Sequence, residues 1–98
     1  MMTQEEAEAA YDAEIAPALL KVVERCKELG FHLVVHVEWW PGETGITQHV
    51  PEGASVQLRM TQLAAHSHGN FDALGMNMLS NFDCKASIFL HRYAEQEP

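Results

Sequence analysis

The stretch FHLVVHVEWW, residues 31–40, decides the predicted fold, because its side chains alternate between two sets. The apolar set is Phe31, Leu33, Val35 and Val37. The mixed set is His32, Val34, His36 and Glu38. This period of two, together with the β-branched and aromatic content, predicts a β-strand with one buried face. Such a strand needs a cover, so we expect the rest of the chain to pack on its apolar face.

The preceding segment, residues 3–29, predicts a helix with one continuous apolar stripe. Its members are spaced by three or four residues: Tyr11, Ile15, Leu19, Val22, Cys26 and Leu29. Pro17 interrupts this stripe, and a proline is tolerated only in the first turn of a helix. The pattern therefore predicts either a helix that begins near Asp12 or a kink at Pro17. Gly30 is well placed to end the helix.

The turn residues Pro41, Gly42 and Gly45 follow the strand, and the β-favouring residues 46–50 predict a hairpin with it. Residues 55–82 carry a second apolar stripe, which favours one long helix capped by Ser55. The alternative is two helices broken at Gly69, the second capped by Asn70. A glycine costs only ~1 kcal/mol inside a helix, so the unbroken helix is preferred. Residues 86–91 predict a third strand.

These elements predict an α+β domain with the two-layer order α-β-β-α-β. The expected sheet is antiparallel and three-stranded, in the order 2-1-3, with both helices packed on one face. Residues 1–98 are expected to form a single domain with frayed ends at 1–11 and 94–98.

The charge of the chain restricts its partners. Fourteen acidic residues against six basic ones give a formal net charge of −8. Affinity for a phosphate backbone comes largely from Lys and Arg, so direct nucleic-acid binding is not expected. No apolar stretch is long enough to span a membrane, and the acidic start lacks the layout of a signal peptide. We expect a cytoplasmic protein whose cysteines, Cys26 and Cys84, are reduced thiols.

Two arrangements of polar residues are candidates for chemistry. His36 and Glu38 share one strand face, and His91 on the third strand would complete three metal ligands. His68 and Asp72, four residues apart on a helix, would form a carboxylate-oriented imidazole suited to a general base. Neither arrangement carries a catalytic signature, so an enzyme is the less favoured interpretation. No cofactor is expected.

The uncovered face of the predicted sheet is too apolar to remain exposed, which favours a homodimer. The leading hypothesis is a non-enzymatic, acidic protein-interaction module. Its predicted binding residues are Trp39, Trp40, Glu43, His32 and His36.

In composition, though not in any quoted motif, the chain resembles accessory proteins of phages and mobile elements, including anti-defence inhibitors. A third hypothesis is an acidic DNA mimic that inhibits a nucleic-acid-binding protein. A basic protein partner would suit an acidic accessory protein as well as a DNA mimic. The sequence does not identify that partner.

Overall fold

The computed structural model describes residues 1–87, 90 and 93. Its elements, in chain order, are α1 (Gln4–Ala10), the π-helical segment π1 (Tyr11–Ile15), α2 (Ala16–Leu29), β1 (Leu33–Trp40), β2 (Glu43–His49), α3 (Val56–His66) and α4 (Phe71–Asn81). The first three are continuous and form one helix over residues 4–29. Within the described residues the fold is therefore α+β, with three helices and a two-stranded antiparallel sheet.

The chain divides into two compact units, Met1–Arg59 and Met60–Pro98. The first unit contains the helix over residues 4–29 and the hairpin formed by β1 and β2. The second contains α4 and most of α3. The single domain expected from the sequence stays a prediction.

The first helix begins close to the start of the predicted range 3–29, and the alternative start near Asp12 is wrong. Thr3 caps it in a capping box: the Thr3 hydroxyl accepts from the Glu6 N–H at 3.1 Å, and the Glu6 carboxylate accepts from the Thr3 N–H at 3.2 Å. This pair of bonds satisfies two of the N–H groups that a helix start leaves without partners. The helix therefore begins at Gln4, well before Asp12.

The π segment explains how the helix passes Pro17 without stopping. A proline inside an α-helix lacks the N–H for its bond and clashes with the carbonyl four residues earlier. In π1 the Ala16 N–H instead donates to the carbonyl of Tyr11, five residues back. This extra residue places Pro17 in the first turn of α2, where proline is tolerated.

The inserted residue also shifts the buried stripe. Beyond π1 the buried or half-buried side is formed by Ala16, Leu19, Val23 and Cys26. Val23 is 4% exposed, whereas Ile15 and Val22, which the predicted stripe contained, are 45% and 49% exposed. The stripe predicted from the sequence is thus displaced by one residue at both positions.

Gly30 ends the helix as predicted, in the left-handed conformation (φ 76°). The Gly30 N–H donates to the carbonyl of Lys27 at 3.2 Å, and the Phe31 N–H donates to that of Cys26 at 2.7 Å. This is the Schellman arrangement, which leads the chain directly into β1.

The strands β1 and β2 form an antiparallel hairpin around Pro41 and Gly42. Leu33 pairs with His49, and Val37 pairs with Gly45. A β-bulge follows, since Glu38 pairs with Thr44 but the next pair is Trp40 with Glu43.

The hairpin has two faces, and residues that pair across the strands lie on the same face. The two faces have different surroundings. A Cβ built on Gly45 would overlap the Tyr11 ring, so the face of Leu33, Val35 and Val37 lies toward the first helix. The side chains of these three residues are half-buried, as the alternation predicts, while His36 on the other face is exposed.

The long helix predicted over residues 55–82 is wrong. Ser55 does cap α3, since its hydroxyl accepts from the Leu58 N–H at 3.2 Å. The helix stops at His66, and His68 (φ 52°) and Gly69 (φ 74°) adopt left-handed conformations. The Asn70 side chain then caps α4 by accepting from the Ala73 N–H at 2.9 Å. Local turn and capping bonds outweigh the continuous apolar stripe.

The predicted third strand is also wrong. Lys85, Ala86 and Leu90 lie in turns, and the Ser87 N–H donates to the Cys84 carbonyl at 3.0 Å. The other members of the predicted strand, residues 88, 89 and 91, lie outside the described residues. Among the described residues the sheet therefore has two strands instead of the order 2-1-3, and within the first unit one helix packs on it rather than two.

Candidate interaction surface

The five predicted binding residues fall into two groups in the structure. His32, His36 and Glu43 are exposed. Trp39 and Trp40 are half-buried, so part of each indole is already covered within the chain. The role of the five residues in binding a partner stays a prediction.

Trp39 helps to hold the first helix on the hairpin. Its ring stacks on Tyr11 of π1, with centroids 6.4 Å apart and an interplanar angle of 25°. The Tyr11 ring fits there because Gly45 has no side chain: a Cβ would lie 2.6 Å from Cζ of Tyr11. The π segment, the hairpin and the bulge therefore meet around one aromatic pair.

The bulge also changes the expected directions of the two tryptophans. Adjacent residues on a regular strand point to opposite faces. In a bulge, two residues oppose one residue of the partner strand, and here Trp39 and Trp40 together oppose Glu43. Strict alternation therefore does not hold for the two tryptophans, and Trp39 lies toward the first helix, against Tyr11.

The predicted metal ligands are not brought together within the described chain. His36 and Glu38 are both exposed on the outer face of β1. His91 lies outside the described residues, and the third strand that was to place it beside His36 is not formed. Among the described residues, no group of three or more His, Cys, Asp or Glu side chains is arranged to hold a metal ion.

The predicted pair of His68 and Asp72 loses its helical geometry. His68 lies in the left-handed turn after α3, whereas Asp72 lies in the first turn of α4. The i, i+4 relationship requires one continuous helix, and this segment is broken between them. Both residues are exposed, so the arrangement expected of an oriented general base is absent from this described segment.

An apolar flank of the first helix is the main feature that the sequence reasoning missed. We call Ile15, Val22 and Leu29 the α2 flank; they are 45%, 49% and 47% exposed. They recur every seven residues, so they lie in a row along one side of the helix. Within residues 1–59, all of which are described, Val23 is the one side chain larger than alanine that is buried. The hairpin thus covers only part of the apolar surface of α2.

The second unit has an apolar surface of its own. An open groove of about 340 Å³ is lined chiefly by Phe71, Met76, Leu79 and Leu90. Phe71 is 84% exposed and Met76 is 64% exposed. This agrees with the near-continuous apolar character of residues 73–82.

The open end of the hairpin brings two histidines together. The rings of His32 and His49 lie 5.9 Å apart between centroids, at an interplanar angle of 73°. In the register that follows the bulge His49 pairs with Leu33, and His32 directly precedes Leu33 in the chain. The sequence offers no signal for the one-residue shift at the bulge.

No family model matches the chain, and no curated protein or solved structure matches it either. Among the residues that the structure describes, no helix combines the length and the apolar character needed to cross a bilayer. Cys26 is half-buried and Cys84 is buried, both as free thiols.

Proposed function

We propose that the chain is a non-enzymatic, acidic protein-interaction module that works as a homodimer, with the α2 flank as its self-association surface. The observation that supports this most directly is the half exposure of Ile15, Val22 and Leu29 in a single row. Burying each such side chain is worth up to about 1.5–3 kcal/mol. A second copy is the occupant that supplies this cover without any other molecule.

The spacing of the flank suits a two-fold axis. An axis through Val22 sets Val22 against itself, and sets Ile15 against Leu29 of the second copy. The contact of Ile15 with Leu29 then occurs twice, as in a closed two-fold interface. Seven-residue spacing also keeps an apolar row facing a second helix over several turns.

The charges favour an antiparallel arrangement of the two helices. Residues 1–20 carry five acidic side chains and no basic one, while α2 carries three basic residues against two acidic ones, Glu24 and Glu28. With the axis at Val22, antiparallel packing keeps the acidic residues 5–14 of the two copies apart, and parallel packing would place acid beside acid. The antiparallel arrangement also opposes the two helix dipoles favourably.

Sedimentation velocity over a wide range of protein concentration tests the dimer. Three apolar residues a side make a small interface, so we expect a dissociation constant of roughly 1–100 µM. Val22→Glu places two like charges at the axis and should leave the protein monomeric. Leu20→Glu is the matched control, because Leu20 is 56% exposed on the same helix but outside the flank. It adds the same charge and should still dimerise.

Two outcomes contradict the proposal. One is a wild-type protein that stays monomeric throughout this range. The other is a Val22→Glu variant that dimerises as well as Leu20→Glu does.

The acidic start of the first helix is the surface proposed for a basic protein partner, together with His36 and Glu43, which are both exposed on the hairpin. Glu5, Glu6, Glu8, Asp12 and Glu14 are all exposed. Binding through this surface should weaken as salt rises, because exposed charges are screened. Dimerisation through the apolar α2 flank should persist in high salt.

We place the proposed protein interaction in the cytoplasm, where free thiols such as Cys26 stay reduced.

A further inference from the structure

The pair of His32 and His49 at the open end of the hairpin is not used by the proposed dimer. His32 is exposed just before β1, and His49 is the half-buried last residue of β2. Neither ring forms a hydrogen bond or an ion pair with another described residue. Their contact is with each other, at 5.9 Å between centroids.

The distance between the two rings satisfies one condition for sharing an ion. A metal ion lies ~2.0–2.1 Å from a ligating imidazole nitrogen, and hence about 3.1 Å from the ring centroid. When the angle at the ion lies between tetrahedral and linear, two such rings have centroids about 5.1–6.2 Å apart. The observed 5.9 Å lies inside this range.

We propose that His32 and His49 form a two-imidazole binding site for a divalent transition-metal ion. Neutral imidazole suits Cu²⁺, Ni²⁺ and Zn²⁺, and the usual order of affinity places Cu²⁺ first. The described residues offer no third His, Cys, Asp or Glu ligand. The remaining coordination positions are therefore filled by water or by a donor from another molecule, and the affinity is micromolar rather than that of a closed structural site.

The site would also clamp the hairpin at the end opposite its turn. One ligand precedes β1 and the other ends β2. An ion that binds this folded arrangement but not the unfolded chain raises the stability of the hairpin by mass action. The melting temperature therefore provides a second readout, separate from the binding measurement.

The test is calorimetric titration of the untagged, full-length protein with CuCl₂, repeated with NiCl₂. All proteins carry Cys26→Ser, because Cu²⁺ oxidises an accessible thiol. The variants are His32→Ala and His49→Ala. The matched control is His36→Ala, which removes an exposed histidine of the same strand whose neighbour across the hairpin is Ile46.

We expect one Cu²⁺ per chain in the parent protein and a rise in its melting temperature. Either site variant should weaken binding by about tenfold or more, because a single imidazole remains. The control should bind within about twofold of the parent. Circular dichroism without metal establishes that each variant is folded, and His49→Gln replaces His49→Ala if the latter is not.

Three results would overturn the site. The first is no binding at roughly 100 µM metal. The second is an unchanged affinity in His32→Ala or His49→Gln. The third is an equal loss in His36→Ala, which would move the ion to the face of His36 and Glu38.

Discussion

The two apolar faces of α2 differ sharply although neighbouring residues form them. Val23 is 4% exposed on the side that packs against the hairpin, and Val22 is 49% exposed on the α2 flank. The two side chains are chemically identical and lie about 100° apart around the helix. Their environments differ because the single extra residue of π1 sets the rotation of α2 against the hairpin.

This difference separates stability from association. Burial of Val23 stabilises the first unit, since it removes apolar surface from water in the monomer. Val22 retains its apolar surface in the monomer and gives it up only to a partner. A substitution at position 23 should therefore mainly lower the stability of the first unit. A substitution at position 22 should mainly weaken dimerisation.

The largest effect is expected for Val23→Asp compared with Val22→Asp. An unpaired charge at position 23 should destabilise the first unit by about 3–5 kcal/mol. The same change at position 22 should alter stability by less than about 0.5 kcal/mol, because the site is solvated. Urea unfolding followed by tryptophan fluorescence measures both, at protein concentrations low enough to keep the dimer dissociated. Equal losses in the two variants would contradict the assignment of the two faces.

The sequence predicted the features that follow from a regular alternation of apolar residues or from a local helix-ending or helix-capping residue. The alternation in residues 31–40 predicted β1 and its half-buried face of Leu33, Val35 and Val37, but Phe31 lies outside the strand and is 58% exposed. Gly30 and Ser55 were identified as a helix end and a cap.

The sequence missed the two one-residue insertions, π1 and the bulge before Trp40. Each preserves the local conformation but displaces some later positions: Ala16 and Val23 replace Ile15 and Val22 on the buried side of α2, whereas Leu19 and Cys26 stay where the pattern predicts.

The second unit shows a different reason for failure. The apolar stripe continues in phase across Gly69, which favoured one long helix. The structure shows that a turn with His68 and Gly69 in left-handed conformations breaks the helix, and that Asn70 restarts it. A turn of suitable length preserves the phase of a stripe, so periodicity cannot distinguish one helix from two. The capping chemistry of Asn70 was the better signal.

The sequence could predict the exposure of single residues in the candidate sites. It could not predict contacts that depend on which residues of β1 and β2 pair. The exposure of His36 and Glu43 follows from position alone. The contact of His32 with His49 depends on the register of the hairpin, in which Leu33 pairs with His49. The α2 flank likewise requires π1.

A smaller effect is expected where the helix and the hairpin meet. Gly45→Ala should destabilise the first unit by about 1–3 kcal/mol, since its Cβ displaces the Tyr11 ring from Trp39. Gly75→Ala is the matched control, because Gly75 lies inside α4 and a Cβ there meets no atom within 4 Å. That change should stabilise by up to about 1 kcal/mol. Thermal unfolding monitored by circular dichroism gives both signs.

The Gly45→Ala penalty should disappear in a Tyr11→Ala background, because the overlapping ring is then absent. A penalty that persists would place its cause in the backbone of β2 rather than in the helix contact.

A still smaller coupling is expected between Tyr11 and Trp39. A double-mutant cycle with Tyr11→Ala and Trp39→Ala should give an interaction energy of about 0.5–1.5 kcal/mol, typical of stacked aromatic rings. The same cycle with Trp40→Ala in place of Trp39→Ala is the control and should give less. Chemical unfolding of the four proteins in each cycle provides the values. A coupling near zero for Trp39 would remove the contact that joins π1 to the hairpin.

The smallest effect is expected for Pro17→Ala. If Pro17 were an interior helix residue, its removal would stabilise the protein by about 3 kcal/mol. Because π1 places it in the first turn of α2, we expect a change of less than about 1 kcal/mol. We also expect π1 to persist without the proline, since the Tyr11 stack and the burial of Val23 both depend on the present rotation of the helix. Comparing Val22→Ala with Val23→Ala in the Pro17→Ala background tests this directly. If Val22→Ala became the costlier change, α2 would have rotated by one residue, and the proline rather than the packing would determine which valine is buried.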